Sequence, residues 1–281
     1  MKKLSAFLLL AFTFLFSSAQ ELRLRKRKQN ALTGKEFALS IRDSSLSLMD
    51  REKIIFKEIK KGNVPDFLRK LVKIEMDWVS DQKTNHISYY VLPDYFAIGN
   101  NNDFFYVPMT PILAQKVARL TKCSLPTKLL ADQIYKNAKI KLAPQPIPPT
   151  KAMTTVPIFI SHTDSILRQL KPLLASHQLG ELTAGNKKDI IISNKVYGES
   201  TPRVVIYGWH KLDGKAIQPL YNKHTNTWAD YSHGVRLIQN KIYINHKKTS
   251  LKKALRDAEF CSVFSDDGRI DKPYYPIFKS Y

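Results

Sequence analysis

Four prolines fall between Ala143 and Lys151, in the stretch "APQPIPPTK". Proline has no amide proton to donate and its ring clashes with the preceding helical turn. Neither a helix interior nor a central strand can therefore run through these residues. They form an extended connector, and every regular element must end on one side of it or the other. The connector either separates two domains or crosses the surface of one. Neither flanking half carries a complete sheet of its own. The expectation is one domain over residues 43–281, with a possible subdivision at 143–151.

Before the connector, the helical signals come first. "LMDREKIIFKEIKKGN" places Ile54, Ile55 and Ile59 at helical spacing and stops at Gly62. "VPDFLRKLVKIE" reads as a second helix, with Pro65 in its first turn. "HISYYVLPDYFAIGN" and "DFFYVPM" are aromatic and β-branched, so they read as two strands joined by the turn "GNNND". "TPILAQKVARLTKC" is a helix capped by Thr110 with Pro111 in its first position. "LPTKLLADQIYKNAKIKL" is another, starting just after Cys123. Beyond the connector come the helix "DSILRQLKPLLASHQLG", the strands "KKDIIISN" and "RVVIYGWHK", a hairpin at Gln239-Asn240 and the short helix "SLKKALRD". Helices lead and strands crowd the second half. This order predicts an α+β fold, with N-terminal helices followed by a mostly antiparallel C-terminal sheet.

The first 19 residues stand apart. Lys2 and Lys3, the apolar run Leu4–Phe16 and the small residues Ser17, Ser18 and Ala19 have the layout of a secretory signal peptide, too short for a stable membrane span. A secreted or periplasmic protein from about Gln20 is expected. Residues 20–42 are basic and without steady periodicity, and read as a flexible arm. The formal charge is +21, or +19 without Lys2 and Lys3. Export argues against nucleic acid as the partner of this charge. An anionic polymer or glycan of the cell envelope is the expected partner instead; oligomeric state is not legible.

The densest chemistry lies in "WADYSHGVRLIQNKIYIN". Asp230, Tyr231 and His233 gather a carboxylate, a phenol and an imidazole beside Gly234. Strand alternation would put Tyr231 and His233 on one face. Trp209, His210 and His224, with the cations Lys187, Lys188 and Arg236, are the candidate substrate-binding residues around them. A base of Tyr or His type among cations suits the cleavage of acidic polysaccharides, in which a carboxylate is neutralised and the adjacent proton removed. The histidine spacings lack a metal-ligand pattern such as H-E-x-x-H, so neither metal nor cofactor is expected. The cysteines, Cys123 and Cys261, admit two readings. In an exported protein they can form a disulfide. Alternatively, Cys123 at a helix start would have its thiolate favoured by the helix dipole.

With Cys123 ahead of a helix, the strand "KKDIIIS" and the histidine-led "HGVRLIQNKIYIN", the chain resembles the NlpC/P60 cell-wall cysteine peptidases. Those run from a helix-borne cysteine through a "GDLVFF"-like strand to a "HVGIYLG"-like strand. The resemblance covers Cys123 to Asn245 and implies an amidase or peptidase acting on peptidoglycan, with Cys123 as nucleophile and His233 as base. The family's Asp-Cys-Ser is Lys122-Cys123-Ser124 here, and the third residue of the triad is open among Asp230, Asn245 and His246. "YSHGVRL" also resembles the L,D-transpeptidase motif "SHGCIRL", but Val235 stands where the nucleophilic cysteine would be. Segments such as "LPDYFAIGNNNDFF" and "IYGWHKLDGKAIQPL" resemble exported proteins of Bacteroidota, a likeness that implies no particular chemistry. Three readings follow: an envelope hydrolase of Cys–His type, an acidic-polysaccharide lyase or glycan-binding protein, and a non-enzymatic envelope protein with a Cys123–Cys261 disulfide.

Overall fold

The computed structural model describes residues 20–281; the expected signal peptide lies outside the described residues. The fold is α+β, with mostly antiparallel sheets. Its larger sheet is built on one long hairpin. Val72–Ser80 and Lys83–Val91 pair antiparallel from Val72↔Val91 to Ser80↔Lys83. The turn needs two residues at positive φ, and Asp81 (47°) and Gln82 (62°) provide them. The second helix expected over "VPDFLRKLVKIE" is therefore only one turn, Asp66–Arg69, before the chain becomes strand. Val72 and Ile74 are β-branched, and the partner strand decides the conformation over local helical spacing.

The rest of that sheet comes from the far end of the chain. Lys83–Val91 also pairs with Lys241–Ile244 and with Ile238–Gln239, which in turn pairs with Cys123–Ser124. Lys247–Ser250 closes the edge on Lys241–Ile244. The hairpin expected at Gln239-Asn240 is displaced to Asn245-His246, whose φ values of 50° and 63° make the turn. A smaller sheet runs Ala216–Tyr221, Ile206–His210, Lys188–Ile190 and His233–Gly234, its last pair parallel. Residues 235–237 carry the chain from one sheet to the other. On the way, Leu237 and Val235 accept backbone hydrogen bonds from Leu92 and Phe96.

Residues 20–42 are not a loose arm. Leu22 is buried and its amide donates to Arg69 O at 2.7 Å. The helix Gly34–Ser40 has a complete capping box, Thr33 with Glu36, and buries Phe37 and Ala38. The charges face water while Leu22, Phe37 and Ile41 anchor the segment. The helix at Pro111–Leu120 is capped by Thr110 as expected. The one after the connector, Val156–Leu173, starts earlier than its apolar pattern suggested and has Pro172 in its last turn. Among the described residues no helix is long and apolar enough to cross a membrane.

Glu52 joins three parts of this frame. Buried in the helix Leu48–Lys60, it accepts from Thr110 N at 2.7 Å and Thr110 Oγ1 at 2.8 Å, and from the Tyr281 hydroxyl. Burial pushes its carboxyl above the ordinary range, against these hydrogen bonds. Glu52→Ala would leave buried donors unpaired and should cost about 2–4 kcal/mol in urea denaturation. Tyr281→Phe should cost about 1 kcal/mol. Equal and negligible effects would show that Glu52 does not tie these elements together.

Candidate functional site

The stretch around Asp230 is a turn before it is anything else. Asp230 Oδ1 accepts from Ser232 N at 2.8 Å and Ser232 Oγ at 2.5 Å, and His233 N donates to Asp230 O at 3.0 Å. An aspartate closing a turn through its own side chain is ordinary turn chemistry. It uses only one carboxylate oxygen. The other, Oδ2, accepts from Trp228 Nε1 at 3.2 Å and lies 3.8 Å from His233 Nε2. Gly234 follows because nothing larger fits: a Cβ there would meet Tyr95 Cδ1 at 2.4 Å and Lys187 Cβ at 2.6 Å.

The strand alternation expected to put Tyr231 and His233 on one face does not apply, because Tyr231 lies in a turn and the strand begins at His233. Its hydroxyl accepts from Ile147 N at 2.9 Å and its amide donates to Met153 O at 2.9 Å. The phenol thus pins the proline-rich connector to the turn. Its carbonyl oxygen accepts from Lys187 Nζ at 2.6 Å.

Around Asp230 the polar groups form layers. His224 and Trp228 are half-buried and stacked, with ring centroids 4.7 Å apart, and Lys188 is also half-buried. Lys188 Nζ sits 5.1 Å from the Trp209 ring centroid. Beneath them lie His233, Lys187 and His162, all buried. Lys187 Nζ is 3.0 Å from His162 Nδ1; when Lys187 is protonated, that nitrogen is the acceptor and the ring proton sits on Nε2. Trp209 holds φ of 54°, a strained value for a bulky residue, directly after Gly208 at 100°. The bend turns Trp209 toward His162 and Tyr231, and His210 toward Asp132. Five buried polar atoms have no hydrogen-bond partner among the described residues here or alongside: both His233 nitrogens, His162 Nε2, Trp209 Nε1 and Asn186 Oδ1.

Electrostatics follow from burial. Desolvation pushes His233 down to about 4, with Asp230 opposing and Lys188 adding to the shift. Desolvation likewise pushes Lys187 down to about 7, against the pull of Asp230 and Asp94. Lys188 and His224 are lowered too, burial again outweighing Asp230. For Asp230 burial works upward, yet His233, Lys188 and the Ser232 hydrogen bonds outweigh it and hold the carboxyl well below its usual range. At neutral pH the site is an ionised carboxylate 3.8 Å from a neutral imidazole, a spacing beyond a direct hydrogen bond.

The other residues singled out by sequence go elsewhere. Cys123 does not sit at a helix start. It lies on the strand Cys123–Ser124, and the next helix, Lys128–Asn137, is capped by Thr127. Burial pushes the thiol up to about 12, opposite to the activation expected of a nucleophile. Cys123 and Cys261 are both free and buried, not joined in a disulfide. His210 is 2.9 Å from Asp132 and stacks on Tyr135, outside the Asp230 layers. Arg236 is fully buried and donates to Leu92 O at 3.0 Å and Thr183 O at 2.7 Å, so it braces backbone. His162 and Trp228 were not singled out. The sign of His162 was present: it falls on the buried stripe Val156, Phe159, Ile166, Leu170 of its helix, where a polar residue needs a reason.

The His233 imidazole stays neutral in the fold down to about pH 4, whereas its ordinary value is 6.5. Between those values the unfolded chain binds the extra proton, so stability must fall on acidification. The parent should lose about 2 kcal/mol relative to His233→Gln between pH 7.5 and pH 5. Urea denaturation across that range measures it. A constant difference would mean that His233 is protonated in the folded protein.

Among the described residues no group of three or more His, Cys, Asp or Glu side chains is arranged to hold a metal ion. No protein-family model, curated protein or solved structure matches this chain.

Proposed function

We propose that this is an exported protein acting on an acidic glycan of the cell envelope. Lys188 would take a sugar carboxylate against the stacked His224 and Trp228, and Asp230 with His233 would move the proton behind them. One observation carries this reading. A fully buried imidazole has both nitrogens without hydrogen-bond partners among the described residues, 3.8 Å from a carboxylate. Buried polar groups that serve only packing are nearly always hydrogen-bonded. The strained Trp209 and the lowered lysines lie in the same layers.

The chemistry that fits is β-elimination: the proton adjacent to a carboxylate is removed, the glycosidic C–O bond on the next carbon breaks as the double bond forms, and the leaving oxygen takes a proton from water. A cation at that carboxylate stabilises the charge that develops, and a neutral imidazole accepts the proton. The half-buried Trp228 supplies part of a flat apolar face of the kind a sugar ring packs on. The peptidase reading depends on Cys123, whose buried thiol at about 12 gives it no support.

Turnover of polyuronate, followed by the absorbance of unsaturated product, tests the proposal. His233→Ala should lower kcat/KM by roughly a hundredfold or more, while Cys123→Ser leaves it unchanged. The acid limb of kcat/KM should fall at about pH 4, the value burial sets for His233. Release of peptides from peptidoglycan, lost in Cys123→Ser and kept in His233→Ala, would overturn the proposal.

A further inference from the structure

A cleft of about 720 Å³ opens between residues 23–25 and the helix Leu48–Lys60, and shares no residue with the Asp230 layers. Six of its lining residues are cations: Arg23, Arg25, Lys53, Lys57, Lys60 and Lys61. Lys53, Lys57 and Lys60 recur at helical spacing on one face, where like charges repel. Among the described residues, only Lys53 and Lys61 of the six have a carboxylate within ion-pair distance, Asp50 and Glu58, each at 2.9 Å. The rest of the lining is apolar, made by Leu24, Phe56 and Leu120. Leu120 is 36 % exposed, and Lys60 Nζ stands 5.9 Å from the Phe56 ring centroid. The positive field continues beyond Leu120, where Arg119 and Arg256 repel Lys252, adding to the lowering that its burial causes.

The lining has no carboxylate, amide or hydroxyl side chain. A neutral or acidic sugar brings many hydroxyl donors, and they would find no side-chain acceptors here. An anionic head joined to an apolar chain meets both kinds of lining group.

We propose that this cleft docks the protein on a membrane surface carrying acidic phospholipid. Its cations take the phosphates, and Leu24, Phe56 and Leu120 meet the first methylenes of the chains. The proposal does not depend on the glycan reading, since none of its residues takes part there.

The test uses protein recovered from expressing cells, with intact mass confirming that parent and variants share one N-terminus. Binding is measured by co-sedimentation with phosphatidylcholine vesicles and with vesicles containing about 30 % phosphatidylglycerol. The parent should bind the anionic vesicles at least roughly tenfold more tightly, the gap closing in high salt. Lys57→Gln with Lys60→Gln, and separately Arg23→Gln with Arg25→Gln, should each weaken that binding roughly tenfold. Circular dichroism melts verify that the variants are folded. Leu120→Ser should weaken vesicle binding several-fold and leave binding to polygalacturonate unchanged. Equal binding to both vesicle types overturns the proposal. So does unchanged binding in both charge variants. Vesicle binding indifferent to Leu120→Ser, but displaced by polygalacturonate, would make the cleft a polymer groove and overturn the lipid assignment.

Discussion

Arg236 is the charge around which this fold is arranged. Burying a guanidinium completely demands compensation for its charge. Two carbonyls from separate parts of the chain, Leu92 O and Thr183 O, accept from its two terminal nitrogens, while its Nε has no partner among the described residues. Tyr95 lies face-on, its centroid 4.2 Å from the guanidinium carbon, and turns its hydroxyl to Asp189 Oδ2 at 2.8 Å. Asp94 and Asp189 are buried and raised by desolvation, and the attraction of Arg236 opposes that rise in both. Each group is tolerable inside only because the others are there. The end of the long hairpin, the Thr183 segment and the segment that joins the two sheets are thereby fixed relative to one another.

The Asp230 layers inherit their position from this arrangement. His233 and Arg236 lie three residues apart on the joining segment, with Gly234 between them against Tyr95 and Lys187. A shift of that segment would move the imidazole and break the guanidinium contacts together. The site is therefore mounted on one of the most constrained stretches of the chain. Its outer layer, His224 and Trp228, belongs instead to the irregular stretch after Ala216–Tyr221. The two layers thus sit on parts of the chain with different degrees of regular structure.

What could be read in the sequence was what local physics decides. Thr110 with Pro111 announced a helix start, and "GNNND" a turn, because caps and turns depend on a few adjacent residues. The strand Val72–Ser80 was hidden, because its partner overrides a pattern that also fits a helix. The docking of residues 20–42 was hidden because scattered anchors such as Leu22 and Phe37 show no period. At the site, the Asp230–His233 cluster and Lys188 were legible as dense chemistry. His162 was not, because only packing brings a helix after the connector against Lys187. Cys123 misled for a related reason: its distance from the helix cap is three residues too long, and burial reverses the effect a helix end would have had.

The larger sheet has its late strand in the middle. Ile238–Gln239 lies between Lys83–Val91 and Cys123–Ser124, so those two early strands never touch edge to edge. A chain that emerges N-terminus first can form its long hairpin and its first helices early. It cannot close the sheet until residue 239 has arrived, with five-sixths of its length already out. Contacts this far apart in sequence are slow to form and keep a partly built chain open. The delay is built into the strand order: the fold withholds its own completion until nearly the whole chain is present.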